Sequence, residues 1–182
     1  MIIGITCTLG AGKGTVVEYL KTKGFAHYSS STLLKEMLAE WGLPATRQNM
    51  SELADELMNK YEGGILHFSH EKAQSDGVKD YVLESIHRVS EAEYVRSIGG
   101  VVFGVDADMK KRYERAIKRK EGEKDNVTFE QFVADTKREE EGAAGTGPNI
   151  RAVLKIADTV ITNNGSEVEL FAQVETALKK LN

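Results

Sequence analysis

The chain has 182 residues, 41% hydrophobic and 29% charged, with a net charge of −4 and one cysteine. This fits a single globular domain over residues 1–182, with enough apolar content for a real core. No global basic field draws in nucleic acid or anionic lipid, no apolar run is long enough to span a bilayer, and Cys7 has no partner for an internal disulfide. The first residues enter an apolar stretch with no basic region ahead of it, so no secretory leader is expected and the expected location is cytoplasmic.

The first element is a strand, Met1 to Ile5, apolar apart from Gly4 as a strand covered on both faces should be. Gly10, Gly12 and Gly14 follow and open backbone geometries closed to other residues. Val16, Val17 and Leu20 then recur at helical spacing, so a helix is expected from Lys13 to Lys23, stopped by Gly24. A glycine-rich loop between strand and helix turns backbone N–H groups inward, where the positive end of the helix also points. Lys13 adds a full charge, and a polyphosphate fits there. The strict phosphate-loop pattern is G-x-x-x-x-G-K-[ST]. Cys7 stands where its first glycine belongs, and Gly14 where its hydroxyl belongs, with Thr15 one place later. The core Gly10-Ala11-Gly12-Lys13-Gly14-Thr15 is intact.

Phe25 to Tyr28 reads as a second strand, followed by a helix from about Thr32 to Trp41 with several hydroxyl residues available as caps. Thr46 caps a helix over Arg47 to Tyr61, whose Met50, Leu53, Leu57 and Met58 share one face. Ile65 to Ser75 is a further helix, stopped by Gly77. Tyr81 to Leu83 is a strand that ends at Glu84 and Ser85, Ser90 to Ser97 a helix, and Val101 to Val105 a strand that ends at Asp106. Met109 to Lys120 is a basic helix. Residues 121 to 148 change character: a polar amphipathic segment, Thr128 to Glu141, lies between EGEKDN and GAAGTGP, and the flanking glycines suggest an element that moves. Ile150 to Ile156 is a short helix, Thr159 to Thr162 the last strand and Ser166 to Leu181 the closing helix. Alternating strands and helices predict a parallel sheet covered on both faces, with ligands at the carboxyl ends of the strands. The glycine loop, Ser29, Glu84 and Asp106 all fall at such ends.

Several side chains are candidates for chemistry. Lys13 is expected to bridge the terminal phosphates of a nucleotide. Gly14 cannot supply the hydroxyl that holds Mg²⁺ in the strict motif, so the metal would rest on phosphate oxygens, water and one strand-end carboxylate. Glu84 and Asp106 compete for that role, Glu84 being favoured, and capping of the next helix is the plainer reading of each. Phosphoryl transfer asks the protein chiefly for position and positive charge. Arg47, Arg88, Arg138 and the row Arg112, Arg115 and Arg119 are therefore of interest. The plainer reading of the row is a solvated basic face; Arg119, nearest the glycine-flanked segment, is the best candidate for stabilising charge. His27, His67, His70 and His87 show no metal-ligand spacing, and Cys7 reads as a small residue at a tight turn.

GAGKGT, with glycine after the lysine, looks like the adenylate kinase form of the loop. With FAHYSSSTLLKEM, LESIHR, GVDADMKKRYERAIKR and ADTVITNNGS, the chain resembles the nucleoside monophosphate kinase family of P-loop kinases, and within it the dephospho-CoA kinase group, over nearly its whole length. The resemblance implies a three-layer P-loop NTPase fold, a five-stranded parallel sheet with helices on both faces and a small helical lid near 119–142, and an acceptor region near 30–75. It implies ATP and Mg²⁺ as cofactors, and small-molecule nucleotides as partners rather than nucleic acid or membrane. Gly10, Ala11, Gly12, Lys13, Gly14 and Thr15 would hold the ATP phosphates. Asn163 and Gly165 would lie near the adenine, and Arg119 would start the lid. Arg47 would hold the acceptor phosphate, with Ser29, Glu84 and Arg138 nearby. In LESIHR, where adenylate kinases carry DGFPR, His87 or Arg88 could fill the arginine's place, Arg88 being preferred. The leading expectation is transfer of the γ-phosphate of ATP to a nucleoside or deoxynucleoside monophosphate. Dephospho-CoA is the second acceptor considered, disfavoured because SSST offers no carboxylate base after the second strand. A P-loop switch without transfer comes third.

Overall fold

The computed structural model describes residues 1–119, 128–141 and 148–181, with the backbone alone at 119, 138, 139 and 141. The apolar run after Met1 forms β1 (Ile2–Cys7) at the centre of a five-stranded sheet. On one side it pairs with β3 (Tyr81–Glu84), which pairs in turn with β2 (Ala26–Tyr28). On the other side lie β4 (Val101–Asp106) and then β5 (Thr159–Thr162). All pairings are parallel, so every carboxyl end opens on one rim. Register matches Ile5 to Glu84 and Cys7 to Val105 across β1, which brings the end of β3 beside the start of the glycine loop.

The helices are α1 (Lys13–Thr22), α2 (Ser30–Glu40), α3 (Arg47–Lys60), α4 (Ile65–Ser75), α5 (Val89–Ser97), α6 (Met109–Arg119), α7 (Phe129–Glu141), α8 (Ile150–Ile156) and α9 (Glu167–Lys179). Side-chain alternation along the strands builds two cores. Ile3, Ile5, Phe103 and Val105 face α1 and α9, meeting Val16, Leu20 and Val174. Tyr81, Leu83 and Val102 face the other way, onto Leu66 of α4, Val95 of α5 and Val153 of α8. Gly4 faces the same way, and no side chain fits there: a Cβ would come 2.5 Å from Ile86 and 3.0 Å from Val95. A third, smaller core of Leu34, Leu38, Leu53, Leu57 and Ile65 joins α2, α3 and α4 to one another. The region expected to bind an acceptor therefore has its own packing, set beside the sheet.

Helix α2 starts earlier than the sequence pattern predicts. Of the four consecutive hydroxyl residues, Ser29 is the cap, accepting a hydrogen bond from the Thr32 N–H at 3.4 Å. The other described elements lie close to their predicted ranges. Helix α7 is docked rather than free-standing: Phe132 is buried against the Tyr113 ring, with centroids 5.5 Å apart, and Phe129 meets the same ring edge-on. Much of the expected lid, residues 120–127 and 142, lies outside the described residues, as do the side chains of Arg119 and Arg138.

Candidate active site

The glycine loop leaves β1 through Thr8, whose N–H donates to Val105 O, and turns at Ala11, whose N–H donates to Thr8 O at 3.1 Å. Gly10 and Gly12 have φ of 78° and 101°, where side chains are disfavoured. Space excludes them too: a Cβ on Gly10 would stand 2.5 Å from the Arg112 carbonyl, and one on Gly12 2.3 Å from the Asn163 amide. The carbonyl oxygens of the loop are tied from behind. Leu9 O accepts from Arg112 Nε at 2.8 Å, and Ala11 O accepts from Asn163 Nδ2 at 2.8 Å and Arg115 Nη1 at 3.4 Å. Arg115 also donates to Asn163 O at 2.9 Å. With its carbonyls held this way, the loop and the first turn of α1, Lys13, Gly14 and Thr15, direct N–H groups to the rim. A Cβ on Gly14 would meet nothing within 4 Å, so the rim there is open.

This corrects the plainer reading of the basic row. Arg112 is 1% exposed and belongs to the scaffold behind the loop. It pairs with Glu140 of α7, itself buried, which pairs also with Arg151 of α8 at 2.6 Å. Arg151 then reaches Asp106 at 3.0 Å. Asp106 further accepts from Thr8 Oγ1 at 2.6 Å and from the Ala107 N–H at 2.9 Å. Nothing in the sequence pattern signalled Glu140 or Arg151.

Lys13 lies on the other side of β1. Its Nζ donates to Ser85 Oγ at 3.0 Å and pairs with Glu84 Oε2 at 3.2 Å. Glu84 is buried, and its Oε1 accepts from Ser29 Oγ at 2.8 Å, while Ser30 Oγ donates to its carbonyl at 2.7 Å. His27 Nε2 lies 3.1 Å from Glu84 Oε2. Burial alone would raise the Glu84 carboxyl. The His27 ring, the Lys13 ammonium and the Ser29 hydroxyl outweigh it and hold the group at about 2. Burial pushes the Cys7 thiol up, which removes it from the class of activated thiols.

Beyond Ser85 a cavity of about 670 Å³ opens between α2, α3 and α5. Leu34, Met50, Met58 and Ile65 give it apolar walls, and Ser30, Ser31, Ser51 and Asn59 give it polar ones. His87 and Arg88 both line it, as do Asp55 and Glu91. Arg88 Nη2 donates to Asp55 of α3 at 2.7 Å. Glu91, at the first turn of α5, accepts from the His87 and Arg88 N–H groups at 2.6 and 3.0 Å. Burial raises the Glu91 carboxyl despite those two bonds.

The predicted residues thus divide into groups. Lys13 of the loop Gly10–Thr15, Glu84 and Ser29 meet at one point, with His87 and Arg88 on the adjoining cavity. Asp106 stands at the end of β4, with β1 between it and Glu84, and is engaged by Arg151 and Thr8. Asn163 sits under the loop, and Gly165 belongs to the turn that starts α9, where a Cβ would meet Glu169 at 2.0 Å. Arg47 is exposed at the start of α3 and is not among the described residues lining the cavity. Among the described residues no group of three or more His, Cys, Asp or Glu could hold a metal ion, and no helix is long and apolar enough to cross a membrane.

The chain is 24% identical to the UPF0200 protein TK1334 of Thermococcus kodakarensis, over all of this chain and 98% of that one. In fold it is similar to the shikimate kinase of Bacteroides thetaiotaomicron, with a TM-score of 0.61 at 10% identity, covering 100% of this chain and 98% of that one. It is similar also to the dephospho-CoA kinase of Campylobacter jejuni, with a TM-score of 0.54 at 15% identity, covering 100% and 97%. These structures share the five-stranded parallel sheet with helices on both faces, the P-loop kinase fold. A family model described as AAA domain matches residues 3–141, from β1 through the glycine loop to the end of α7. That match covers well over half of the chain, and the protein belongs to this AAA domain family of P-loop proteins.

Proposed function

We propose that the chain is an ATP-dependent phosphotransferase that moves the γ-phosphate of ATP to a nucleoside or deoxynucleoside monophosphate. One observation carries the reading: Ser85, in contact with the loop lysine, is also a wall of the cavity. A phosphate held at Lys13 would thus adjoin whatever the cavity holds. Such adjacency is what direct transfer requires and what a switch without transfer does not. In this reading Gly10, Ala11, Gly12, Gly14 and Thr15 cradle the ATP phosphates, Lys13 neutralises charge as it develops, and Arg88 draws the acceptor phosphate. Ser29 and His87 flank that acceptor, Arg47 attracts it by charge from outside the cavity, and Asn163 and Gly165 lie on the nucleotide's base side. An oxygen of the acceptor phosphate attacks the γ-phosphorus, the bond to the β-phosphate oxygen breaks, and ADP leaves.

Mg²⁺ fits this site as a passenger of the nucleotide. Glu84 is the carboxylate beside Lys13, ionised at every working pH, and a single carboxylate with phosphate oxygens and water suits a cation that gives up water reluctantly. The ion would neutralise charge on the phosphates. Asp106 is the weaker candidate, being already engaged by an arginine and a threonine.

A second reading, transfer to the hydroxyl of dephospho-CoA, is favoured by one observation. The carboxylate missing after β2 is supplied from β3, since Glu84 is hydrogen-bonded to Ser29. A carboxyl held at about 2 is a weak proton acceptor, however, and an alcohol needs a better one than a phosphate does. The monophosphate reading therefore stands first.

The deciding experiment is an ATP-consumption assay across the nucleoside and deoxynucleoside monophosphates and dephospho-CoA. Transfer to none of them would sink the phosphotransferase reading and return the switch. With the preferred acceptor, Lys13→Ala is expected to lose on the order of a hundredfold in turnover, as when one transition-state donor is removed. Near-normal transfer by that variant would remove Lys13 from the mechanism.

A further inference from the structure

We propose that Ser85 is a positioning residue that aims the Lys13 ammonium at the terminal phosphate of ATP. The inference deepens the phosphotransferase reading and rests on its donor site. Ser85 is the non-glycine residue with a positive φ, 72°, among the described residues. Serine gains little in that region, where its Cβ crowds the backbone, and residues held there cluster at functional sites. The backbone reason is visible. Both the Ser85 and the Ile86 N–H groups donate to Ile5 O at 3.1 Å, so the chain turns sharply as β3 ends. Glycine would make that turn without strain. What glycine cannot supply is the hydroxyl, and that hydroxyl accepts from Lys13 Nζ at 3.0 Å.

The pair of acceptors explains why a hydroxyl matters there. Glu84, one residue earlier, attracts the same ammonium at 3.2 Å. Attraction to a carboxylate alone leaves the ammonium free to swing around it. A second acceptor, fixed by a tight turn, removes that freedom. Lys13 Nζ has three N–H donors. One is engaged by Ser85, and the charge is drawn toward Glu84, so the ammonium has a preferred orientation in which its remaining donors are left for a phosphate. ADP ends at the β-phosphate, so an aimed ammonium matters more to ATP than to ADP.

The test uses Ser85→Ala and Ser85→Gly in the full chain, with calorimetric titration of Mg-ATP and Mg-ADP. Loss of positioning worth an ordinary hydrogen bond predicts that ATP affinity falls about three- to tenfold in both variants. ADP affinity should fall less, since ADP lacks the γ-phosphate at which the ammonium is aimed. Turnover should fall while the acceptor KM holds. Ser85→Gly should melt above Ser85→Ala, because only glycine relieves the turn. Ser85→Asn, tolerant of that backbone and carrying an acceptor, should recover part of the ATP preference. An unchanged ATP-to-ADP ratio in the alanine and glycine variants would overturn the assignment, as would equal losses for both nucleotides. If the parent chain binds both nucleotides yet transfers to no acceptor, the phosphotransferase reading falls while the ratio still decides Ser85. If it binds neither, both fall.

Discussion

Arg88 faces two carboxylates of unequal character. Asp55, 2.7 Å away on α3, has a side chain 60% exposed, and Glu91, 3.9 Å away, is buried. In the proposed reading, an anionic acceptor drawn to Arg88 competes with Asp55 for the guanidinium. Pairs with an exposed partner contribute about 0.2–1 kcal/mol, so Asp55→Asn is expected to lower the acceptor KM by roughly 1.4- to fivefold. The KM for ATP should not move. A rise in acceptor KM would mean that Asp55 binds the acceptor itself. Local chemistry made Lys13 and the three glycines legible in the sequence, because loop, charge and helix start are adjacent along the chain. The Arg88–Asp55 pair was not legible. It spans 33 residues and exists only once the fold has set α3 across the cavity from Arg88. The choice between His87 and Arg88 was open for the same reason, and the fold sets both on the cavity.

At the scale of elements, α5 begins with its own stress. Glu91 reaches back to the His87 and Arg88 N–H groups, as the third residue of a helix often does, but from a buried position. Burial raises its carboxyl above the ordinary 4.5. For a group raised on folding, the stabilising contribution is complete below the unfolded value and is lost as pH climbs through the folded one. Glu91→Gln keeps an oxygen for the two N–H groups and carries no charge at any pH. The variant should match the parent near pH 4 and melt higher at pH 7. A lower melting point at pH 7 would show that the Arg88 pairing outweighs burial. Element ranges were readable because periodicity and caps are local signals; Thr46 caps α3 as its position suggests. The basic face of α6 was not readable. Period places Arg112 and Arg115 together on a helix but does not say whether that face meets water or the glycine loop.

The whole molecule is organised about β1, with one side of the rim for the loop lysine and the other for a buried ionic network. Glu140 sits between Arg112 and Arg151 and connects α7 and α8 to the back of the loop. Side-chain exposures of 1% and 4% for Arg112 and Glu140 mean that neither charge has water to fall back on. Breaking a buried pair from one side typically costs about 3–5 kcal/mol, and Glu140→Ala should lose that much in urea unfolding. Nucleotide affinity should fall with it, because the Leu9 carbonyl is held by the same arginine. A variant as stable as the parent would mean that α7 contributes little to the fold around the loop.

The carbonyls pinned behind the loop have a kinetic meaning as well. A cradle that must assemble around its ligand loses binding strength to ordering, whereas one already braced does not. Here the bracing comes from α6 and from the turn after β5, and it is in place once those elements have docked. In the proposed reading, capture of a polyphosphate is then expected to be limited by encounter rather than by assembly of the loop. Discrimination among nucleotides moves to the departure step, where the loop has no slack with which to accommodate a poor fit.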